Sequence, residues 1–165
     1  MTSEPANLHR TVTPYLKLPN CAALVEFLTK AFGAIEQGRL LKPDGTLLHC
    51  EVLIGDSLVM VHEAPPTWKS KPSTLYLRVA DTDATYARAL SAGATAVFAP
   101  ANMYYGARVA CVSDVSGNEW WIAAEKEKLT MDEIQQRAIE YVNAKQETKE
   151  GRKATKSEKI SPEVN

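Results

Sequence analysis

Tyr15-Leu16-Lys17-Leu18 leads into a helical stretch that closes on Phe32-Gly33-Ala34, and Tyr76-Leu77-Arg78-Val79 leads into another that closes on Ala92-Gly93-Ala94. The two glycines give the period (93 − 33 = 60). A β-rich stretch with a tight turn follows each helix, around Ile54-Gly55-Asp56-Ser57 and around Ser113-Asp114-Val115-Ser116-Gly117-Asn118. Self-similarity at this spacing marks a tandem supersecondary unit. Two such units that face one another enclose a cavity, and that is where function is expected.

Working outward, Thr13 to Leu18 reads as a strand that Pro19-Asn20 stops, with Asn20 placed to cap the following helix. Leu24, Phe27, Leu28 and Ala31 recur at helical spacing, and Gly33 stands where a left-handed C-cap is wanted. Strands are expected at Ile35 to Leu41, Leu47 to Ile54 and Leu58 to Glu63, separated by Pro43-Asp44-Gly45 and Gly55-Asp56. The proline-rich run from Ala64 to Pro72 joins the modules.

The second half repeats the order. A strand at Ser73 to Val79 precedes a helix from about Thr82 to Ala92 behind Asp81, and strands follow at Thr95 to Ala99, Gly106 to Ser113 and Glu119 to Ala124. Thr130 and Glu133 form a capping box that opens a last helix, residues 129–145, with Ile134, Ala138, Tyr141 and Val142 as its stripe. The fold class is therefore α+β: two β-α-β-β-β modules, about 12–64 and 73–125, forming a curved mixed sheet around a cleft, plus a C-terminal helix. Residues 1–11 read as a flexible start, which leaves His9 without a role. Residues 146–165, charged and without aromatics, read as a disordered tail.

With 165 residues, 45% of them hydrophobic, and a net charge of −1, the chain has no global bias toward nucleic acid or membrane. No signal-peptide pattern or membrane-length apolar run is present, so a cytoplasmic location is expected. Cys21, Cys50 and Cys111 are odd in number and widely spaced, which indicates buried thiols in place of a disulfide or zinc framework.

These modules, with Phe32-Gly33-Ala34 closing the first helix and Asp114-Val115-Ser116-Gly117-Asn118 before the last strand, resemble the glyoxalase/bleomycin-resistance/dioxygenase (vicinal oxygen chelate) superfamily. Thr13-Pro14-Tyr15-Leu16, the run His49 to Ser57, Met103-Tyr104-Tyr105-Gly106 and Trp120-Trp121-Ile122-Ala123 are most similar to its PhnB-like branch. The resemblance implies a small-molecule ligand and a homodimer. It would also place metal ligands near Thr13, near Thr74, at Val59 or Met60, and at Trp121, none of which suits a divalent cation. No cofactor is expected from those positions.

Strand alternation sorts the remaining polar groups. His49 and Glu51 share a face, and a two-residue turn at Gly55-Asp56 sets His49 opposite His62 and Glu51 opposite Met60. His49, Glu51 and His62 are the candidate catalytic residues, able to shuttle a proton, to form a displaced metal site, or simply to line a polar wall. Tyr76, Arg78, Tyr105, Arg108 and Trp121 are the candidate ligand contacts, a guanidinium beside aromatic rings being suited to an anionic or carbonyl-bearing molecule. Trp120 is assigned to the core and Trp121 to the pocket. The leading functional expectation is metal-free binding of a small organic molecule. The alternatives are an isomerase, cyclase or ring-opening enzyme using His49, Glu51 and His62, and a sequestering module without chemistry.

Overall fold

The computed structural model describes residues 8–65, 67–69 and 71–158, with side chains described as far as residue 146. The expectations for residues 1–7 and 159–165 lie outside the described residues. The elements run β1 (Tyr15–Leu18), α1 (Cys21–Phe32), β2 (Ile35–Leu41), β3 (Leu47–Ile54), β4 (Ser57–Glu63), β5 (Thr74–Arg78), α2 (Thr82–Ser91), β6 (Thr95–Asn102), β7 (Ala107–Ser113), β8 (Glu119–Glu125) and α3 (Met131–Glu158). Each module forms a four-stranded sheet, ordered β1-β4-β3-β2 and β5-β8-β7-β6. Both are mixed, because the first strand of each module lies parallel to the last.

The chain divides into two compact units. One runs up to Ala101 and includes Val109–Ala124; the other holds Asn102–Arg108 and the chain from Glu125 onward. In the first unit, Leu24, Phe27, Leu28 and Ala31 of α1 are buried against the inner faces of β3 and β4, through Cys50, Val52 and Val61. Full burial of each large side chain stabilises by about 1.5–3 kcal/mol. The same core continues through α2 and β8 by way of Ala89, Trp120 and Ile122. Arg88 Nε donates to the carbonyl of Ala31 at 3.4 Å, joining the two helices.

Local chemistry sets the boundaries. Gly33, at φ 68°, ends α1 with its N–H on the Thr29 carbonyl, while the Ala34 N–H reaches the Leu28 carbonyl. Asn20 does not cap with its side chain as expected. It sits in the left-handed region at φ 56°, and the Glu63 carboxylate at the end of β4 takes the Asn20 N–H at 3.1 Å and the Cys21 N–H at 2.8 Å. A negative charge on the first N–H groups of a helix serves the same purpose from a distance in sequence. Asp81 caps α2 conventionally through the Ala84 N–H at 3.0 Å.

The β7–β8 turn is organised by the buried Asp114. Its Oδ1 accepts the Ser116 and Asn118 N–H groups at 2.8 and 3.0 Å, and its Oδ2 accepts Asn118 Nδ2 and Trp120 Nε1, both at 2.9 Å. Asn118 Oδ1 in turn accepts the Ser73 N–H at 3.0 Å, fixing the start of β5.

In the second unit the Thr130/Glu133 capping box forms on both sides, at 2.8 Å and 3.3 Å. The helix it opens does not stop near Lys145; it runs to Glu158, so residues 146–158, expected to be disordered, are helical. Most of that extension is Glu, Lys, Gln, Arg or Ala, residues that lose little rotamer freedom in a helix and so favour it.

Candidate functional site

The β3–β4 register is the one that a two-residue turn imposes: His49 pairs with His62, Glu51 with Met60 and Ile54 with Ser57. Even-numbered β3 residues Cys50, Val52 and Ile54 face α1 and are buried, which leaves His49 and Glu51 on the opposite, more open face. The imidazole centroids of His49 and His62 are 5.7 Å apart, and Tyr15 of β1 lies 6.4 and 6.0 Å from them. His49 Nε2 is 3.7 Å from Glu51 Oε1. Burial first, then the neighbouring His49 and Lys17 charges, push the His62 pKa below its ordinary value, which favours the neutral ring.

The structure adds His9 to this cluster: its Nε2 lies 3.3 Å from the same Glu51 oxygen. Sequence reading gave that residue no role, because an irregular segment has no periodicity to show where it docks. The thiol of Cys50, the neighbour of His49, faces the core and is pushed up to about 11, chiefly by burial, so it does not supply a thiolate.

Also within the first unit is a cavity of about 850 Å³, which His49, Glu51 and His62 do not line. The segment Arg10–Pro14 before β1, the β3–β4 turn, the outer strand β5 and one side of α2 enclose it. Because β5 ends its sheet, its outer edge borders the cavity, and residues of both its faces are in the lining: Tyr76 and Arg78 from one, Leu75 and Leu77 from the other. Val12, Phe32, Ile54 and Trp120 add apolar wall; Arg10, Arg88, Asp56 and Asp81 add charge.

The expected site residues therefore fall in three places. His49, Glu51 and His62 come together on the open face of the first module. Tyr76 and Arg78 reach the cavity, and Trp121 pairs in register with Tyr76 on the neighbouring strand. Trp121 packs edge-on against Phe98 at 5.2 Å, and its buried indole N–H has no acceptor among the described residues. Trp120 occupies the core and, from there, also lines the cavity. Tyr105 and Arg108 belong to the second unit, where Tyr105 stacks edge-on with Tyr104 at 5.2 Å and Arg108 donates to Asn102 Oδ1 at 3.2 Å.

This arrangement and the two-module topology can be placed beside known proteins. Residues 14–122 match the family described as the Glyoxalase/Bleomycin resistance protein/Dioxygenase superfamily. The chain belongs to this superfamily. It is 34% identical over 140 residues to an uncharacterized protein of Mycobacterium bovis, an alignment covering 78% of this chain and 92% of that one. Among solved structures it is similar to TioX from Micromonospora sp. ML1, with TM-score 0.58, 24% identity and coverage of 69% of this chain and 98% of that one. It is likewise similar to a gene product from Arabidopsis thaliana, with TM-score 0.58, 26% identity and coverage of 70% and 98%.

The positions at which the superfamily resemblance would put metal ligands carry poor donors. The Thr13 hydroxyl is engaged with the Arg10 backbone, donating to its carbonyl at 3.0 Å, and Val59 is buried. Met60 offers a thioether and Trp121 an indole N–H that can only donate. These residues do not fit a divalent cation. Among the described residues, no group of three or more His, Cys, Asp or Glu could hold a metal ion.

Proposed function

We propose that this glyoxalase-superfamily protein, in the manner of its PhnB-like branch, binds a small organic molecule in the cavity between its modules and does so without a metal. The observation that carries the reading is the cavity itself. Its volume, about 850 Å³, lies within the range of pockets for metabolite-sized ligands. Its walls combine apolar and aromatic surface from Phe32, Leu75 and Trp120 with a few charged groups. The outer edge of β5 adds backbone donors and acceptors free of a neighbouring strand in its sheet. Ala80 lines the cavity and is exposed, so Ala80→Trp fills the space at little cost to the fold. In a thermal-shift screen of metabolites with chelator present, compounds that stabilise the native protein are expected to lose their effect on Ala80→Trp. Undiminished stabilisation of that variant would refute the reading.

A second reading is favoured by one specific observation, Glu51 Oε1 standing within 3.3 Å of His9 and 3.7 Å of His49. A carboxylate shared by two imidazoles beside His62, whose burial favours the neutral ring, is equipped for proton transfer, as an isomerase, cyclase or ring-opening enzyme acting on an oxygen-rich metabolite requires. His49→Ala and His62→Ala would then each lower turnover, with a double variant no worse than the weaker single one, since residues that act as a unit are not additive. Additive losses, or none, would remove it.

The protein is further expected to act as a homodimer in the cytoplasm; native mass spectrometry and fractionation test these two points.

A further inference from the structure

Three arginines from three separate elements line the same cavity: Arg10 from the segment before β1, Arg78 from β5 and Arg88 from α2. Two carboxylates share it, and both have local work. Asp81 Oδ1 caps α2, and Asp56 Oδ1 accepts the Ser57 hydroxyl at 2.9 Å.

Arg88 is held in place, with Nε on the Ala31 carbonyl and Nη2 on Thr85 Oγ1 at 3.0 Å. These bonds use two of the five N–H donors of a guanidinium. The backbone of Arg10 is held on both sides. His9 is clasped to Glu51 at 3.3 Å, the Arg10 N–H donates to Thr13 Oγ1 at 3.2 Å, and the Pro14 carbonyl accepts the Met60 N–H at 2.9 Å. The strap from His9 to Pro14 is thus pinned to β3 at one end and to β4 at the other.

We infer that the cavity takes a small organic anion with an apolar body, a carboxylate, whose charged group is met by Arg10, Arg78 and Arg88. We further assign His9 as a positioning residue that holds the strap carrying Arg10. This deepens the proposed function and rests on it. Guanidinium groups bind carboxylates through paired, planar N–H donors, and Phe32, Leu75 and Trp120 supply surface for the rest of the molecule. His9 does not itself line the cavity, so its effect on binding passes through the placement of Arg10.

The test compares benzoate with benzamide, which share a shape and differ in charge, by calorimetric titration of the full chain. Benzoate is expected to bind about tenfold or more tightly than benzamide, the discrimination typical of a charge-assisted contact. Arg10→Gln and Arg78→Gln should each weaken benzoate binding several-fold and leave benzamide unchanged. His9→Ala should reproduce the Arg10→Gln pattern with an unfolding midpoint equal to that of the native protein. Equal affinity for the two probes, with both abolished by Ala80→Trp, would overturn the anion assignment while leaving the cavity as the ligand site. Binding of neither probe, or binding indifferent to Ala80→Trp, would overturn both. A His9→Ala protein that binds benzoate like the native one would remove the positioning role alone.

Discussion

Removing the Glu63 carboxylate should destabilise the first unit, and the size of the effect follows from two hydrogen bonds. Its oxygens take the N–H groups of Asn20 and Cys21 at 3.1 and 2.8 Å, and Asn20 itself offers no side-chain cap. Hydrogen bonds to a charged group contribute about 1.5–3 kcal/mol each when buried, and loss of an N-cap costs about 0.5–2 kcal/mol. Glu63 is half-buried, so water replaces part of what is lost, and Glu63→Ala should cost about 2 kcal/mol. For a chain of this length that lowers the unfolding midpoint by about 4–8 °C. Glu63→Gln, which keeps an acceptor and loses the charge, should fall between the two.

The pH dependence has a definite sign. Burial acts to raise the Glu63 pKa, and the hydrogen bonds from Cys21 and Asn20 outweigh it, holding the carboxyl below its ordinary value of 4.5. Because the folded value lies below the unfolded one, the stabilisation is fully present above about pH 4.5 and is lost as pH falls through the folded value. Urea unfolding of native protein and Glu63→Ala at pH 7 and at acid pH checks both points. The difference between them should shrink in acid. A loss below about 0.5 kcal/mol at pH 7, or a difference that grows in acid, would refute the capping role.

Asp114→Ala leaves two backbone N–H groups, the Asn118 amide and the Trp120 indole without their acceptor in a buried turn, so a loss of about 3 kcal/mol or more is expected in denaturant titrations followed by tryptophan fluorescence. Gly106 is at φ +81°, and a Cβ there would stand 2.9 Å from the Glu127 carbonyl oxygen. Gly106→Ala should therefore destabilise the second unit by about 1–3 kcal/mol in urea unfolding followed by circular dichroism. Gly45→Ala, with φ +81° and open space around it, should cost less in the same assay.

Alternation and turn chemistry made much of the first module legible. The bounds of β2 and β3 coincide with those read from the sequence, and the pairing of His49 with His62 follows from the two-residue turn at Gly55-Asp56. The α1 stripe was equally plain, since Leu24, Phe27, Leu28 and Ala31 fall on one helical face and are all buried. What stayed hidden depends on placement in space. Glu63 caps a helix that begins 42 residues earlier, and no local pattern announces a partner at that separation. His9 reaches Glu51 from a segment with no period. The cavity wall along β5 includes residues of both its faces because that strand ends its sheet, which sequence alternation, assigning one face inward, does not reveal. The extension of α3 to Glu158 reflects propensity in a charged segment that composition alone marks as unstructured.

If ligand binds between the modules independent of metal, as proposed, amide-resolved NMR titration with benzoate in the presence of chelator should show it. Shifts should cluster at Arg10, Val12, Thr13, Leu75, Tyr76 and Thr85, saturate together, and be unaffected when divalent cations replace the chelator. Shifts centred on His49, Glu51 and His62, or appearing only once a divalent cation is added, would contradict it.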